Sequence, residues 1–254
     1  MARASISRSR IDAVLFDLDG VVTKTAAVHA AAWKRLFDEY LGRRADREHS
    51  TFRPFDLDVD YRQYVDGKPR YDGVRSFLRS RSIVLDKGTP GDPPDRETVC
   101  GLGNRKDRYF QDYLATHGAE AYESAVALIA ELRSSGIKTA VVSASKHCEE
   151  VVRAAGVTAL FDTRVDGTDA ETLRLAGKPS PATYQEAARR LGVAPARAAV
   201  IEDAIAGVEA GRAGGFGLVI GVNRTASPGV LLDHGADVEV HDLDELQVCP
   251  DGRR

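Results

Sequence analysis

Cysteine is scarce in this chain, and what there is stands far apart. Cys100, Cys148 and Cys249 are odd in number and form no CxxC. That excludes a zinc ribbon and a disulfide framework and favours reduced thiols. Neither sign of charge is in large excess. The net charge is −3 over 254 residues, so neither nucleic acid nor a membrane surface is an expected partner. Long apolar runs are missing too. After the basic start MARASISRSR, the run Ile11–Phe16 is far too short for a signal sequence or a membrane span. A cytoplasmic protein with a short, frayed basic start is expected. The six histidines show no HxxxH spacing. A P-loop near Lys178 would need glycine at 172, where Thr172 stands, and Pro179 follows the lysine. GLGNRK at Gly101–Lys106 lacks the third glycine of a dinucleotide fingerprint. No GxSxG elbow is present.

What is there reads as a soluble α/β protein: 43% hydrophobic and 29% charged residues, in a length that suits one core domain with a smaller insertion. Ile11–Asp17 is a compact strand-like run. Trp33, Leu36, Phe37 and Tyr40 share one face of a helix over Ala26–Leu41, with Gly42 closing it as a C′ residue. From Arg43 to about Gly118 the chain turns polar and aromatic. Short helical patterns at Asp72–Ser80 and Lys106–His117 flank the linker-like loop LDKGTPGDPPDRET. Beyond it, strand and helix alternate. Helix Ala119–Ser134, strand Lys138–Ser143, helix Cys148–Ala155 and a strand at Phe161–Val165 come first. Ser180 and Pro181 then read as N-cap and first residue of a helix ending at Gly192. Strand Ala198–Glu202, helix Ala204–Arg212 and strands at Gly217–Gly221 and Ala236–Val240 complete the series. Such alternation predicts βαβ units and a parallel sheet, with the section before it as an inserted helical subdomain.

In an open parallel sheet, ligands bind beyond the carboxyl ends of the strands. Here the strand ends carry the polar residues. AVLFD ends in Asp17, with Asp19 two residues on. KTAVVS ends in Ser143, with Ser145 and Lys146 beyond. AAVIE ends in Glu202, followed by Asp203. Lys178 sits in GKPSP before a helix. A buried carboxylate without a partner costs several kcal/mol, so two acids closing an apolar run call for a cation or for chemistry. The set suits phosphoryl transfer through a carboxylate nucleophile. Asp17 is the nucleophile and Asp19 the general acid and base. Asp17 and Asp203 offer oxygens to a hard cation, Mg²⁺ by preference, with Glu202 as a direct or water-mediated partner. Ser143 and nearby backbone N–H groups hold phosphoryl oxygens, and Lys178 adds fixed positive charge. Taken singly, each has a plainer reading: Asp17 a turn former, Asp203 a helix cap, Ser143 and Ser145 loop serines, Lys178 a solvated lysine.

FDLDGV, VVSAS, GKPSP and IEDAIAGVEAG together resemble, in order, the four motifs of the haloacid dehalogenase superfamily. Within it the chain is most similar to the β-phosphoglucomutase-like family, through DGVVTKTAAVHAAAW, SASK and GKPRYDGV. The resemblance implies an α/β fold with a Rossmann-like, doubly wound parallel-sheet core of residues 1–25 and 119–254, an inserted α-helical cap of residues 26–118, and a metal contact through the main chain of Asp19. It implies interconversion of β-glucose 1-phosphate and glucose 6-phosphate, with Mg²⁺ and glucose 1,6-bisphosphate as activator and intermediate. It places Thr25, His29 and Trp33 at the hinge and over the sugar, and Arg70 on the distal phosphate. Lys106 is a second cap contact. Ser143, Ala144, Ser145 and Lys146 fall around the transferring phosphate. A small sugar phosphate is the expected partner, and a monomer the expected state. Lys24 departs from the family, which carries an acid there, and the GTPGDPPD loop is added. Plainer readings stand for the cap residues: His29 as packing, Trp33 as core, Arg70 as surface. Two alternatives remain open: a sugar-phosphate phosphatase of the same fold, and a non-catalytic protein that kept it.

Overall fold

In the computed structural model, residues 4–224 and 228–249 are described. The chain divides into two compact units, Met1–Lys24 with Ala119–Arg254, and Thr25–Gly118.

The first unit is built on a parallel sheet. Strand β1 is Ala4–Ser7 and β2 is Ala13–Asp17. All five residues of β2 are buried, as an apolar strand covered on both faces requires. After the second unit (its helices α1 to α3 are given below) come α4 (Glu123–Ser134), β3 (Lys138–Val142), α5 (Cys148–Ala154), β4 (Thr163–Val165) and α6 (Gly167–Thr172). Then follow α7 (Ala182–Leu191), β5 (Ala198–Glu202), α8 (Ile205–Ala213), β6 (Leu218–Val222), α9 (Val230–Asp233), β7 (Val238–Val240) and β8 (Leu246–Cys249). The six-stranded sheet has the order β4-β3-β2-β5-β6-β7, parallel throughout. The strand order reverses around β2, and ligand crevices open at such switch points.

The register decides which side chains meet. Asp17 lies level with Val142, and Phe16 with Ile201. The next residue of β5 is Glu202, so two carboxylates leave neighbouring strands at the same height. Helix α7 packs on β2, β3 and β4. The core beneath holds Leu15, Val142, Ala187, Val200, Val208 and Val219, with fully buried Tyr184 as its largest side chain.

The second unit holds α1 (Ala26–Glu48), a π-type turn at Tyr61–Val65, α2 (Arg70–Ser80) and α3 (Val99–His117). Its core is aromatic. Trp33 stacks on Phe37 at 5.4 Å between ring centroids, and Phe37 meets Phe77 at 4.1 Å and Phe55 at 5.1 Å.

Several sequence-based expectations are corrected. Gly42 does not end α1, which runs on to Glu48 and stops at left-handed His49. Ala45 is buried in that extension, and its burial helps offset the roughly 1 kcal/mol that glycine costs a helix. The basic start is not frayed from Ala4 on: Ala4–Ser7 pairs in parallel with Leu246–Cys249. Residues 1–3 of that stretch lie outside the described residues. The Pro/Gly/Asp loop is not a slack linker. Buried Asp92 accepts hydrogen bonds from Thr98 at 2.6 Å and Thr89 at 3.0 Å, and Thr98 in turn caps α3. Pro181, not Ser180, occupies the residue before α7, with no side-chain cap bond.

Candidate active site

Lys178, from the loop before α7, reaches into the sheet edge. Its ammonium is bonded to Asp17 Oδ1 on β2 and to Glu202 Oε1 on β5, and it lies 5.0 Å from the centroid of the Tyr184 ring. All four residues are buried. The plainer reading of Lys178 as a solvated lysine is therefore excluded. Burial alone would discharge its ammonium, but Asp17 and Glu202 outweigh it and hold the group charged well above the usual lysine range. Burial pushes the Asp17 carboxyl well up, helped by Glu202 and Asp19 and opposed by Lys178.

Glu202 is fully committed. Oε1 accepts from Lys178 and, at 2.8 Å, from the Tyr184 hydroxyl. Oε2 accepts the backbone N–H groups of Asp203 and Ala204, both at 3.1 Å. A carboxylate has about four acceptor positions, and these four donors fill them. Glu202 thus holds Lys178 and the start of α8 in place. A Cβ at Gly207 would stand 1.7 Å from Glu202 Oε1, so glycine in the first turn of α8 is what admits this side chain.

Asp203 is half-buried. The residue before α8 is Ala204, with no side-chain cap bond, so a cap does not account for Asp203. Carboxylate oxygens of Asp17, Glu202 and Asp203 can lie within 4.8 Å of one another. Around this point stand four carboxyl groups, Asp17, Asp19, Glu202 and Asp203, with Lys178 bridging two of them. The surplus of acid over base and the oxygen-only donors fit a hard divalent cation.

Asp19 rides on a tight turn closed by Val22 N–H and Thr23 N–H to Leu18 O, at 3.0 and 2.9 Å. Gly20 takes φ 94° there, a conformation that suits glycine. Ser143 donates to Asp19 Oδ2 at 3.4 Å and accepts Ser145 N–H at 3.1 Å. Ala144 and Ser145 are half-buried in that loop, which rests on Gly167 of α6. A Cβ at Gly167 would stand 2.7 Å from Ala144 O. Exposed Lys146 pairs with Glu171 at 2.7 Å. Cys148, two residues on, is buried, and burial pushes its thiol well up, so it is no rival nucleophile.

The helical unit holds the remaining predicted residues. Lys106 is buried, bonded to His29 Nδ1, and lies 5.2 and 5.1 Å from the Trp33 and Phe110 ring centroids. Trp33 itself is a core aromatic of this unit. Thr25 is buried and accepts the His29 N–H through its carbonyl at 3.0 Å. Arg70 is neither a bare surface cation nor an open one. It pairs with Asp107 and contacts Tyr71 and Asn104 at 3.4 Å. Asn104 donates to Pro90 O and Asp92 O at 3.0 and 2.8 Å and accepts from Tyr71 at 2.8 Å. The added loop is thereby fastened beside Arg70.

Sequence reasoning passed over Tyr184, Gly207, Glu171, Asn104 and Asp107. Gly207 lies inside the fourth motif and was readable as a close approach. The others are ordinary helix residues whose roles depend on distant partners.

The chain matches the family model "haloacid dehalogenase-like hydrolase" over residues 11–215. It is 48% identical to the β-phosphoglucomutase of Mycobacterium tuberculosis over 93% of this chain and 92% of that one. To the β-phosphoglucomutase of Bacillus subtilis it is 30% identical, over 92% and 91%. A crystal structure of β-phosphoglucomutase from Clostridium difficile superposes with a TM-score of 0.70 at 24% identity, covering 93% of each chain, which shows the fold. With the Asp19 turn, the bridging lysine and the acidic strand ends set on one sheet edge, the chain belongs to the haloacid dehalogenase-like hydrolase family.

Proposed function

We propose that this protein is a β-phosphoglucomutase, interconverting β-glucose 1-phosphate and glucose 6-phosphate through glucose 1,6-bisphosphate. The observation that carries the reading is Lys178 bridging Asp17 and Glu202 at the switch point of the sheet. A binding protein has no use for a buried nucleophile, lysine and second acid held together in this way. The 48% identity with a β-phosphoglucomutase favours the mutase over a phosphatase of the same fold.

In this reading Asp17 attacks phosphorus and Asp19 gives its proton to the leaving sugar oxygen, then takes one from the incoming hydroxyl. Lys178 stays charged against the phosphoryl oxygens while Glu202 fixes its position. Ser143 and the backbone of Ala144 and Ser145 receive the phosphoryl oxygens. Mg²⁺ belongs to this reading, held by Asp17, Asp203 and the main chain of Asp19, where it would offset repulsion between phosphate and carboxylate. Glu202, with its acceptors filled, is left out of the ligand set. A mutase must also hold the phosphate that is not being transferred. Arg70 is assigned to it, releasing Asp107 when substrate arrives, with Lys106 beside it and with His29, Thr25, Trp33 and Lys146 as supporting residues. A monomeric, cytoplasmic enzyme is part of the same reading.

Phosphorus NMR tests it, with β-glucose 1-phosphate, Mg²⁺ and a trace of glucose 1,6-bisphosphate. Conversion to glucose 6-phosphate with little free phosphate is the expected result, and steady release of inorganic phosphate would make the protein a phosphatase. Asp17→Asn should abolish turnover with the fold intact by circular dichroism. Retained turnover would remove Asp17 as nucleophile.

A further inference from the structure

Arg224 lies two residues beyond the end of β6 and outside all four motifs. Its guanidinium donates to the carbonyl oxygen of Gly20, the residue directly after Asp19. It also pairs with Asp242 at 3.2 Å and covers the Tyr122 ring at 3.8 Å from the centroid. Asp242 is itself fixed, accepting from the Ser124 hydroxyl and from Leu243 N–H, both at 2.5 Å. Two segments distant in sequence, around Tyr122–Ser124 and Asp242–Leu243, thus brace one cation against the nucleophile turn.

We propose that Arg224 is a positioning residue for Asp19. Gly20 is held on both sides: its N–H donates to Thr23 O at 2.7 Å and its carbonyl accepts from Arg224. The first bond belongs to the turn. The second comes from outside and ties the turn to the rest of the unit. A glycine at φ 94° has ready access to other conformations, and a change there would swing the Asp19 carboxyl away from the leaving oxygen. A charge-assisted bond to the carbonyl, from a planar group stacked on an aromatic ring, holds the Gly20 peptide in one orientation. The proposal rests on reading Asp19 as general acid.

That dependence gives the test. Transfer from a sugar phosphate to Asp17 breaks a P–O bond to an alkoxide, which needs a proton from Asp19. Transfer from acetyl phosphate expels acetate, which leaves without one. Both rates are measured by rapid quench on Arg224→Gln, Arg224→Lys, Tyr122→Leu and Asp19→Ala. Arg224→Gln should lower kcat with β-glucose 1-phosphate about tenfold, as small misplacements of a catalytic group do. KM and the acetyl phosphate rate should stay within about twofold. Arg224→Lys, which keeps a donor for Gly20 O, should recover part of the loss. Tyr122→Leu should show the same donor-selective pattern more weakly, and it keeps the question open to decision if Arg224→Gln does not fold. Equal losses on both donors, or no loss on either, would overturn the proposal. Asp19→Ala should show the selective loss in larger form. If it does and the Arg224 variants do not, the positioning role alone fails. If Asp19→Ala loses both donors equally, the acid reading fails and the proposal with it.

Discussion

Two glycines mark how differently one residue type is used here. At Gly207 a Cβ would meet Glu202 Oε1 at 1.7 Å, while at Gly42 nothing lies within 4 Å. Gly207→Ala must displace the side chain that orients Lys178. It should cost about 1–3 kcal/mol of stability by overpacking and lower kcat more than tenfold. Gly42→Ala should stabilise by up to about 1 kcal/mol through helix propensity alone. Urea midpoints with kcat on both variants check the contrast. A Gly207→Ala enzyme of unchanged kcat would show that Glu202 does not position Lys178. Glu202 also shows why a single acid is hard to read. By residue type it is a plausible metal ligand, and only its four donors turn it into a support.

At the scale of elements, the helical unit stands on its aromatic core, and the chain's one tryptophan, Trp33, lies inside it. Trp33 fluorescence therefore reports this unit and not the sheet. Phe77 is fully buried against Phe37 and Phe55, the latter at 4.8 Å. Phe77→Ala should cost about 3–5 kcal/mol, read as a lowered urea midpoint of the Trp33 signal. An unchanged midpoint would contradict the packing described. The loop before α3 shows how composition misleads at this scale. Pro, Gly and Asp signal irregular backbone correctly, but irregular is not slack when a buried Asp92 and Asn104 satisfy its polar groups. Gly42 misleads the other way, because α1 runs past it with Ala45 buried beyond.

Over the whole molecule, ion pairs set the response to acid. Asp12, before β2, accepts two bonds from Arg197, before β5, at 2.6 and 2.7 Å. These bonds, with Arg8 adding to them against burial, hold its carboxyl down to about 2. Glu186 is likewise held at about 2, by Arg189 and then Arg190. A carboxyl lowered in the folded state stabilises above its unfolded value near 4, and loses that contribution as pH falls to about 2. The difference in Tm between the protein and Arg197→Gln should thus be constant above about pH 5 and shrink towards zero near pH 2. A difference that grew on acidification would reverse the assignment. Among the described residues no helix is long and apolar enough to cross a membrane, in keeping with the short apolar runs of the sequence.

The sequence by itself determined the α/β alternation and placed the acids at strand ends and the lysine just before a helix. Both are local matters: hydrophobic period sets each element, and the polar residue that stops an apolar run is visible where it stands. The AAVIE strand is legible with its true bounds, Ala198–Glu202, for this reason. Only the tertiary structure decided which of those residues touch. The register of β2 against β5 brought Asp17 beside Glu202, and the loop before α7 inserted Lys178 between them. Tyr184 under Glu202, Arg224 on Gly20 and the pairing of β1 with β8 left no mark in the sequence. Each joins segments tens to hundreds of residues apart or, like Tyr184, presents an ordinary helix residue whose partner is chosen by packing. Local pattern records what a residue does to its own backbone, and these contacts depend on where the rest of the chain has gone.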